Sequence, residues 1–291
     1  MKEIVIISGK GGTGKTCLTA SFAYLARDCV LADCDVDAAD LHLLAAPKVL
    51  HEEAFHGGAK AAIDPAKCTQ CGKCTEACRY GAISDDFMVD PLSCEGCSVC
   101  FHVCPSEAVT MEESLNGRWF ISESRFGPMV HAELRPGEEN SGKLVALVRN
   151  QAKVLTGKSG KSLVLVDGAP GVGCPVISSV TGADHVVIVT EPTLSGMHDM
   201  KRALELVHGF NIPTSVVVNK YDIAPEMGQQ IQQWCLEKQT PVLGFIPYDE
   251  AVTRAMVHGR CVVEFEDGEV SKAIGRIWEN LISRALSKPE P

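Results

Sequence analysis

Eight cysteines of this chain fall in two runs with one spacing, Cys68-x2-Cys71-x2-Cys74-x3-Cys78 and Cys94-x2-Cys97-x2-Cys100-x3-Cys104. Each member of the first run stands 26 positions before its counterpart. Thiolates are soft metal ligands. This spacing puts three of them in one tight loop and sends the fourth further along the chain. Zinc ribbons use paired C-x2-C, but not two tandem copies of such a run. The repeat continues past the cysteines, with Ala82-Ile83 after the first run and Ala108-Val109 after the second. That marks a duplicated half-domain.

A second chemistry sits at the N-terminus. Gly9-Lys10-Gly11-Gly12-Thr13-Gly14-Lys15-Thr16 fits G-x4-G-K-[ST]. The backbone N–H groups of Gly11, Gly12, Thr13 and Gly14 can wrap phosphate, joined by that of Cys17 at the start of the next helix. Lys15 brings charge to the β- and γ-phosphates, and the Thr16 hydroxyl is placed to ligate Mg²⁺. The motif needs a strand before it and a helix after it. Lys2 to Ser8, with Ile4-Val5-Ile6-Ile7, reads as the strand, and Cys17 to Arg27 as the helix. The cofactors expected here are ATP and Mg²⁺.

The cysteine pattern, closed by Pro105, resembles that of bacterial two-cluster ferredoxins. The resemblance implies two [4Fe–4S] clusters, the fourth cysteine of each run ligating the other cluster. One set is then Cys68, Cys71, Cys74 and Cys104, and the other Cys94, Cys97, Cys100 and Cys78. Arg79 follows Cys78 where Pro105 follows Cys104. A cation there would favour the reduced cluster, so the two potentials should differ.

The phosphate loop, with its early Lys10, resembles that of the MinD/ParA/Mrp group. In that family the early lysine reaches the partner's nucleotide across an ATP-sandwiched dimer, which implies a homodimer in the ATP state. Asp33-Cys34-Asp35-Val36-Asp37 then resembles switch I, with Asp35 positioning the attacking water. Leu163 to Asp167 resembles the Walker B strand, Asp167 holding Mg²⁺ through water, and Gly168 to Gly173 resembles switch II. Asn219 falls where the family contacts adenine, and Tyr248 where the base is often walled. Cys174 is in register with a bridging-cluster ligand of the nitrogenase iron protein. One cysteine per subunit gives only two of four ligands, so a small buried thiol is the reading kept.

These residues need a scaffold. Further apolar runs, Val30 to Asp33, His185 to Val189, Thr214 to Val218 and Val242 to Ile246, alternate with helical patterns at about 196–209, 225–238 and 249–258. Such alternation indicates a parallel sheet covered on both faces. The expected fold class is therefore α/β, a doubly wound, mainly parallel P-loop NTPase sheet with an inserted α+β ferredoxin-like domain. The domains are expected at 1–59, 60–112 and 113–291, the middle one being the insertion. Gly57-Gly58-Ala59 and Glu112-Glu113-Ser114 read as linkers, and Asn116-Gly117 as a hairpin turn. From Gly137 the chain reads as a charged loop and then a helix from Gly142 to Leu155. A last amphipathic helix, Ser271 to Leu286, reads as a closing helix on the core rather than a membrane anchor.

Composition narrows the function. The 291 residues are 45% apolar, with a formal net charge of −10. No basic stripe is available for nucleic acid. No apolar run is long enough for a transmembrane helix, and the N-terminus does not read as a signal peptide, so a cytoplasmic protein is expected. Fourteen cysteines there argue for metal rather than disulfides. The cysteine-rich segment is acidic, so a redox or iron–sulfur partner docking on it should present a basic face. The expected activity is a slow, partner-stimulated ATPase whose turnover gates electron transfer through two clusters. Two alternatives stand beside it: an iron–sulfur assembly or carrier ATPase, and a MinD-like positioning protein with sensing clusters.

Overall fold

The computed structural model describes residues 1–135, 138 and 141–285. Gly137 and Leu286, named in the sequence reading, lie outside them. In chain order the elements are β1 (Lys2–Ser8), α1 (Lys15–Ala26), β2 (Cys29–Asp33), α2 (Leu41–Ala45), β3 (Lys48–Ile63), α3 (Lys73–Ala77), α4 (Val99–Val103), β4 (Val109–Ser124) and β5 (Gly127–Leu134). Then follow α5 (Ser141–Ser159), β6 (Leu163–Pro170), α6 (Cys174–Val180), β7 (His185–Thr190), α7 (Leu194–His208), β8 (Thr214–Asn219), α8 (Pro225–Glu237), β9 (Val242–Ile246), α9 (Glu250–Val257), α10 (Val262–Phe265) and α11 (Glu269–Ala285).

The strands form one nine-stranded sheet in the order β3-β4-β5-β2-β6-β1-β7-β8-β9. From β5 to β9 every neighbouring pair is parallel. Ile4, Val5, Ile6 and Ile7 of central β1 are all fully buried, as a strand covered on both faces requires. Ile4 and Ile6 join α1, α10 and α11 in one core with Phe22, Leu165, Ile277 and Leu281. Ile7 points the other way, toward α6, where a Cβ on Gly168 would meet both Ile7 and Ser179. α11 buries Ile274, Ile277 and Leu281, and its Trp278 ring lies 5.2 Å from Phe22. Each such side chain contributes roughly 1.5–3 kcal/mol on burial, so α11 is a core helix. Among the described residues no helix is long and apolar enough to cross a membrane.

The chain divides into two compact units, one of Met1–Glu52, Trp119–Glu133 and Ser141–Pro291, the other of Glu53–Arg118 and Leu134–Asn140. The glycine-rich stretch 57–59 is not a linker but lies inside β3, and 112–114 lies inside β4. Asn116-Gly117 does not turn the chain. Its asparagine is buried in β4, accepts from Gly57 and Gly58 N–H (2.8 and 3.2 Å) and donates to Glu138 Oε2 (2.7 Å). The hairpin turn comes later, at residues 125–126, where Gly127 (φ +120°) starts β5.

The second unit is duplicated in its backbone. α3 and α4 are offset by 26 residues, and so are three pairs of positive-φ positions: Gln70 and Gly96, Gly72 and Ser98, Gly81 and Glu107. Two hydrogen bonds cross between the halves, Asp64 N–H to Ala108 O (2.8 Å) and Asp90 N–H to Ala82 O (2.7 Å). Each of those aspartates also accepts from the N–H two residues on, Ala66 (2.9 Å) and Leu92 (3.0 Å), and so shapes the approach to its cysteine run. The repeated Asp-Pro-x-x-Cys, at Asp64 and Asp90, is the sequence signal for this turn.

Candidate functional site

β1 ends between β6 and β7, and β2 lies beyond β6. Such a reversal at the carboxyl ends of parallel strands opens a crevice where α/β proteins bind ligands. The phosphate loop leaves β1 at this point. Gly14 (φ +92°) caps α1, and a Cβ there would lie 2.4 Å from the Asn219 amide. Glycine is thus required by conformation, and its missing Cβ leaves the room that the Asn219 amide takes up. Gly9 passes so close to α7 that a Cβ would sit 2.4 Å from the Asp199 carbonyl carbon. The first backbone bond of α1 is Leu18 N–H to Gly14 O, so the N–H groups of Lys15, Thr16 and Cys17 have no helical partner.

Lys15 is buried among carboxylates, its Nζ 2.8 Å from Asp167 Oδ1 and 3.4 Å from Asp35 Oδ2. Burial works to lower its pKa, but the charges of Asp167 and Asp35 outweigh that and hold it above the usual value. Thr16 donates to Asp167 Oδ2 (2.7 Å) and Thr19 to Asp167 Oδ1 (3.0 Å). Burial pushes Asp33 well above the usual carboxylate range, with Asp167 adding repulsion. One oxygen of Asp33 has no hydrogen-bond partner, and neither does the buried Thr13 hydroxyl. Burial also raises Asp35, against the pull of Lys15. Asp37 is exposed.

Lys10 is paired with Glu191 (2.5 Å) and donates to Ser195 Oγ (3.1 Å). Burial works to raise Glu191, but Lys10 and then Lys220 prevail and leave its carboxyl below the usual range. Glu191 follows β7, and no local pattern in the sequence marks it as the lysine's partner. Asn219 donates to Thr13 O (2.8 Å) and accepts from Lys220 N–H (3.0 Å), so its amide clasps the phosphate loop. The Cys17 thiol is 3.2 Å from Met256 Sδ, and burial pushes its pKa up to about 11, leaving its backbone N–H as the group available to phosphate. Tyr248 and Cys174 are exposed, the latter against the buried reading made from sequence.

The eight cysteines of the second unit sort into two clefts. One is walled by Cys78, Cys94, Cys97 and Cys100, the other by Cys68, Cys71, Cys74 and Cys104. In each, three sulfurs come from one run and the fourth from the other. The Cys104 thiol sits 3.6 Å from the Ser106 hydroxyl and accepts from Ala108 N–H (3.3 Å). Among the described residues no group of three or more His, Cys, Asp or Glu is arranged to hold a metal ion.

The model of the CobQ/CobB/MinD/ParA nucleotide-binding domain matches residues 4–262. The uncharacterized protein MJ0578 of Methanocaldococcus jannaschii is 33% identical over 291 aligned residues, covering 96% of each chain. The cell division ATPase MinD of Pyrococcus furiosus shares the fold with a TM-score of 0.59 at 17% identity, over 97% of this chain and 99% of that one. The septum site-determining protein MinD of Pyrococcus horikoshii, solved with Mg-ADP, also gives 0.59 at 17% identity, over 98% and 97%. With the phosphate loop, the buried lysine and the parallel sheet in place, this chain belongs to the CobQ/CobB/MinD/ParA nucleotide-binding domain family.

Proposed function

We propose that this protein binds and hydrolyses ATP as a nucleotide-dependent homodimer, and couples that turnover to electron transfer through two [4Fe–4S] clusters held by a ferredoxin-like second unit. The observation that carries the reading is the sorting of eight thiols into two tetrads, each completed by the other half, in a chain that also has an intact phosphate loop. Four thiols around each cleft, drawn from two tandem runs of one spacing, fit a cluster better than zinc. Cys68, Cys71, Cys74 and Cys104 would hold one cluster, and Cys94, Cys97, Cys100 and Cys78 the other. Bound there, such groups supply one-electron storage.

The chain's own residues supply the rest. Lys15 exchanges Asp35 for the γ-phosphate, which removes one of its two ion pairs and compensates with a phosphate of higher charge. Thr16 and Asp167 are already hydrogen-bonded to each other and would hold Mg²⁺. Released from Lys15, Asp35 orients the attacking water. Lys10 leaves Glu191 to reach the nucleotide of the partner subunit. Contact between Asn219 and adenine would require its amide to leave Thr13 O, unless the carbonyl side of that amide serves. A redox partner with a basic face meets the acidic second unit.

The test is anaerobic purification with iron and sulfide analysis, EPR and an ATPase assay. About eight irons per chain are expected, and Cys71→Ala should lose about half of them. Lys15→Ala should weaken ATP binding by at least about a hundredfold while the iron content holds. An iron-free wild-type chain, or ATP affinity kept in Lys15→Ala, would sink the proposal.

A further inference from the structure

Duplication makes the two halves of the second unit controls for each other. Tyr80, Leu92, Val99 and Phe101 are exposed to 52%, 72%, 42% and 46%. Their counterparts 26 residues away are Ser106, Ala66, Lys73 and Thr75. Tyr80 comes from the first half and Leu92, Val99 and Phe101 from the second, and at each of these positions the duplicate carries a small or polar residue. Two of them, Tyr80 and Val99, wall the cleft of Cys78, Cys94, Cys97 and Cys100. The other cleft has Thr69 and Ser106 in its wall. Exposed apolar side chains that share one cleft wall, as Tyr80 and Val99 do, mark an interaction site when they form a contiguous patch. The segment 53–118 carries ten acidic and five basic residues.

We propose that the face made by Tyr80 and Val99 over this cleft is the docking face for a protein electron carrier whose redox group opens on an apolar patch ringed by lysines. The inference rests on the iron–sulfur reading above and adds to it which of the two clusters exchanges electrons with the outside. An apolar centre in a segment of net negative charge gives fast, salt-sensitive and short-lived docking to a basic partner, as electron transfer requires. One electron crosses per encounter: the cluster is oxidised by one as the carrier is reduced by one, with no proton or bond transferred. A second copy of this chain is disfavoured as the occupant, because acidic surface would meet acidic surface.

The experiment mixes the anaerobically purified, dithionite-reduced full chain with cytochrome c, a carrier with a lysine-ringed haem edge, in a stopped-flow instrument. Tyr80→Ser/Val99→Ser should lower the second-order rate about tenfold or more, within the range interface changes produce. Iron content, EPR signals and the rate with ferricyanide should be unchanged. Tyr80→Phe, which keeps the ring, and Thr69→Ala, at the other cleft, should stay within about twofold of wild type. An unaltered double variant, an equal loss in Thr69→Ala, or no reduction of cytochrome c by an eight-iron wild type would each overturn the inference alone. A dimer that the double variant abolishes would overturn it in favour of a second copy. A wild-type chain without iron would remove the proposed function and this inference together.

Discussion

Lys15 holds together a site that would otherwise repel itself. Asp33, Asp35 and Asp167 converge on it, and Asp33 keeps one buried oxygen without a partner. A buried charge with good partners resists removal, because what is left behind is uncompensated charge. Lys10 is a different case. Its pair with Glu191 leaves the lysine 30% exposed, so the pair contributes no more than about 1 kcal/mol. Lys10→Ala is therefore expected to shift unfolding by less than about 1 kcal/mol and to leave ATP binding intact. On the proposed trans role, turnover should nonetheless fall at least about tenfold, because the side chain's task would then lie in the transition state. Steady-state ATPase rates beside equilibrium nucleotide titration check this, and unchanged turnover would return Lys10 to a loop ion pair. At this scale the sequence was legible where a motif fixes several residues at once, as in Gly9 to Thr16. Glu191 was not, because only the fold brings the end of β7 to the loop.

Strand periodicity was the most readable signal at the scale of elements. The β-branched runs at 4–7, 163–166, 185–189 and 214–218 are all strands of the parallel sheet, since full burial on both faces leaves continuous apolar runs. Glycine and asparagine misled at 57–58 and 116–117, where turn chemistry suggested linkers and a hairpin. There the Asn116 amide takes up the N–H groups of Gly57 and Gly58, and a tertiary contact overrides local preference. This has a measurable cost. Asn116→Ala would strand those donors and the Glu138 contact, and is expected to destabilise the second unit by about 1–3 kcal/mol. Thermal and denaturant unfolding read the effect, and a change below about 0.5 kcal/mol would mean that water replaces the amide.

For the molecule as a whole, the proposed function requires that nucleotide and redox state inform each other. Coupling of that kind is reciprocal, so nucleotide must shift a cluster midpoint if reduction alters nucleotide affinity. An EPR redox titration with MgATP and with MgADP is expected to give midpoints about 59 mV apart for at least one cluster, or about 1.4 kcal/mol of coupling. Coincident midpoints would leave the clusters as passengers and favour the carrier reading. The interleaving of the two cysteine runs also bears on how the protein is made. Cys68, Cys71 and Cys74 leave the ribosome first, but the cleft they line is completed by Cys104, 30 residues after Cys74. At roughly 5–20 residues per second, three thiols wait a few seconds for the fourth while the chain is still being synthesised. On the proposed function, assembly of that cluster must wait for the second run, and slow codons between the runs would lengthen the time for which the three thiols stand without it.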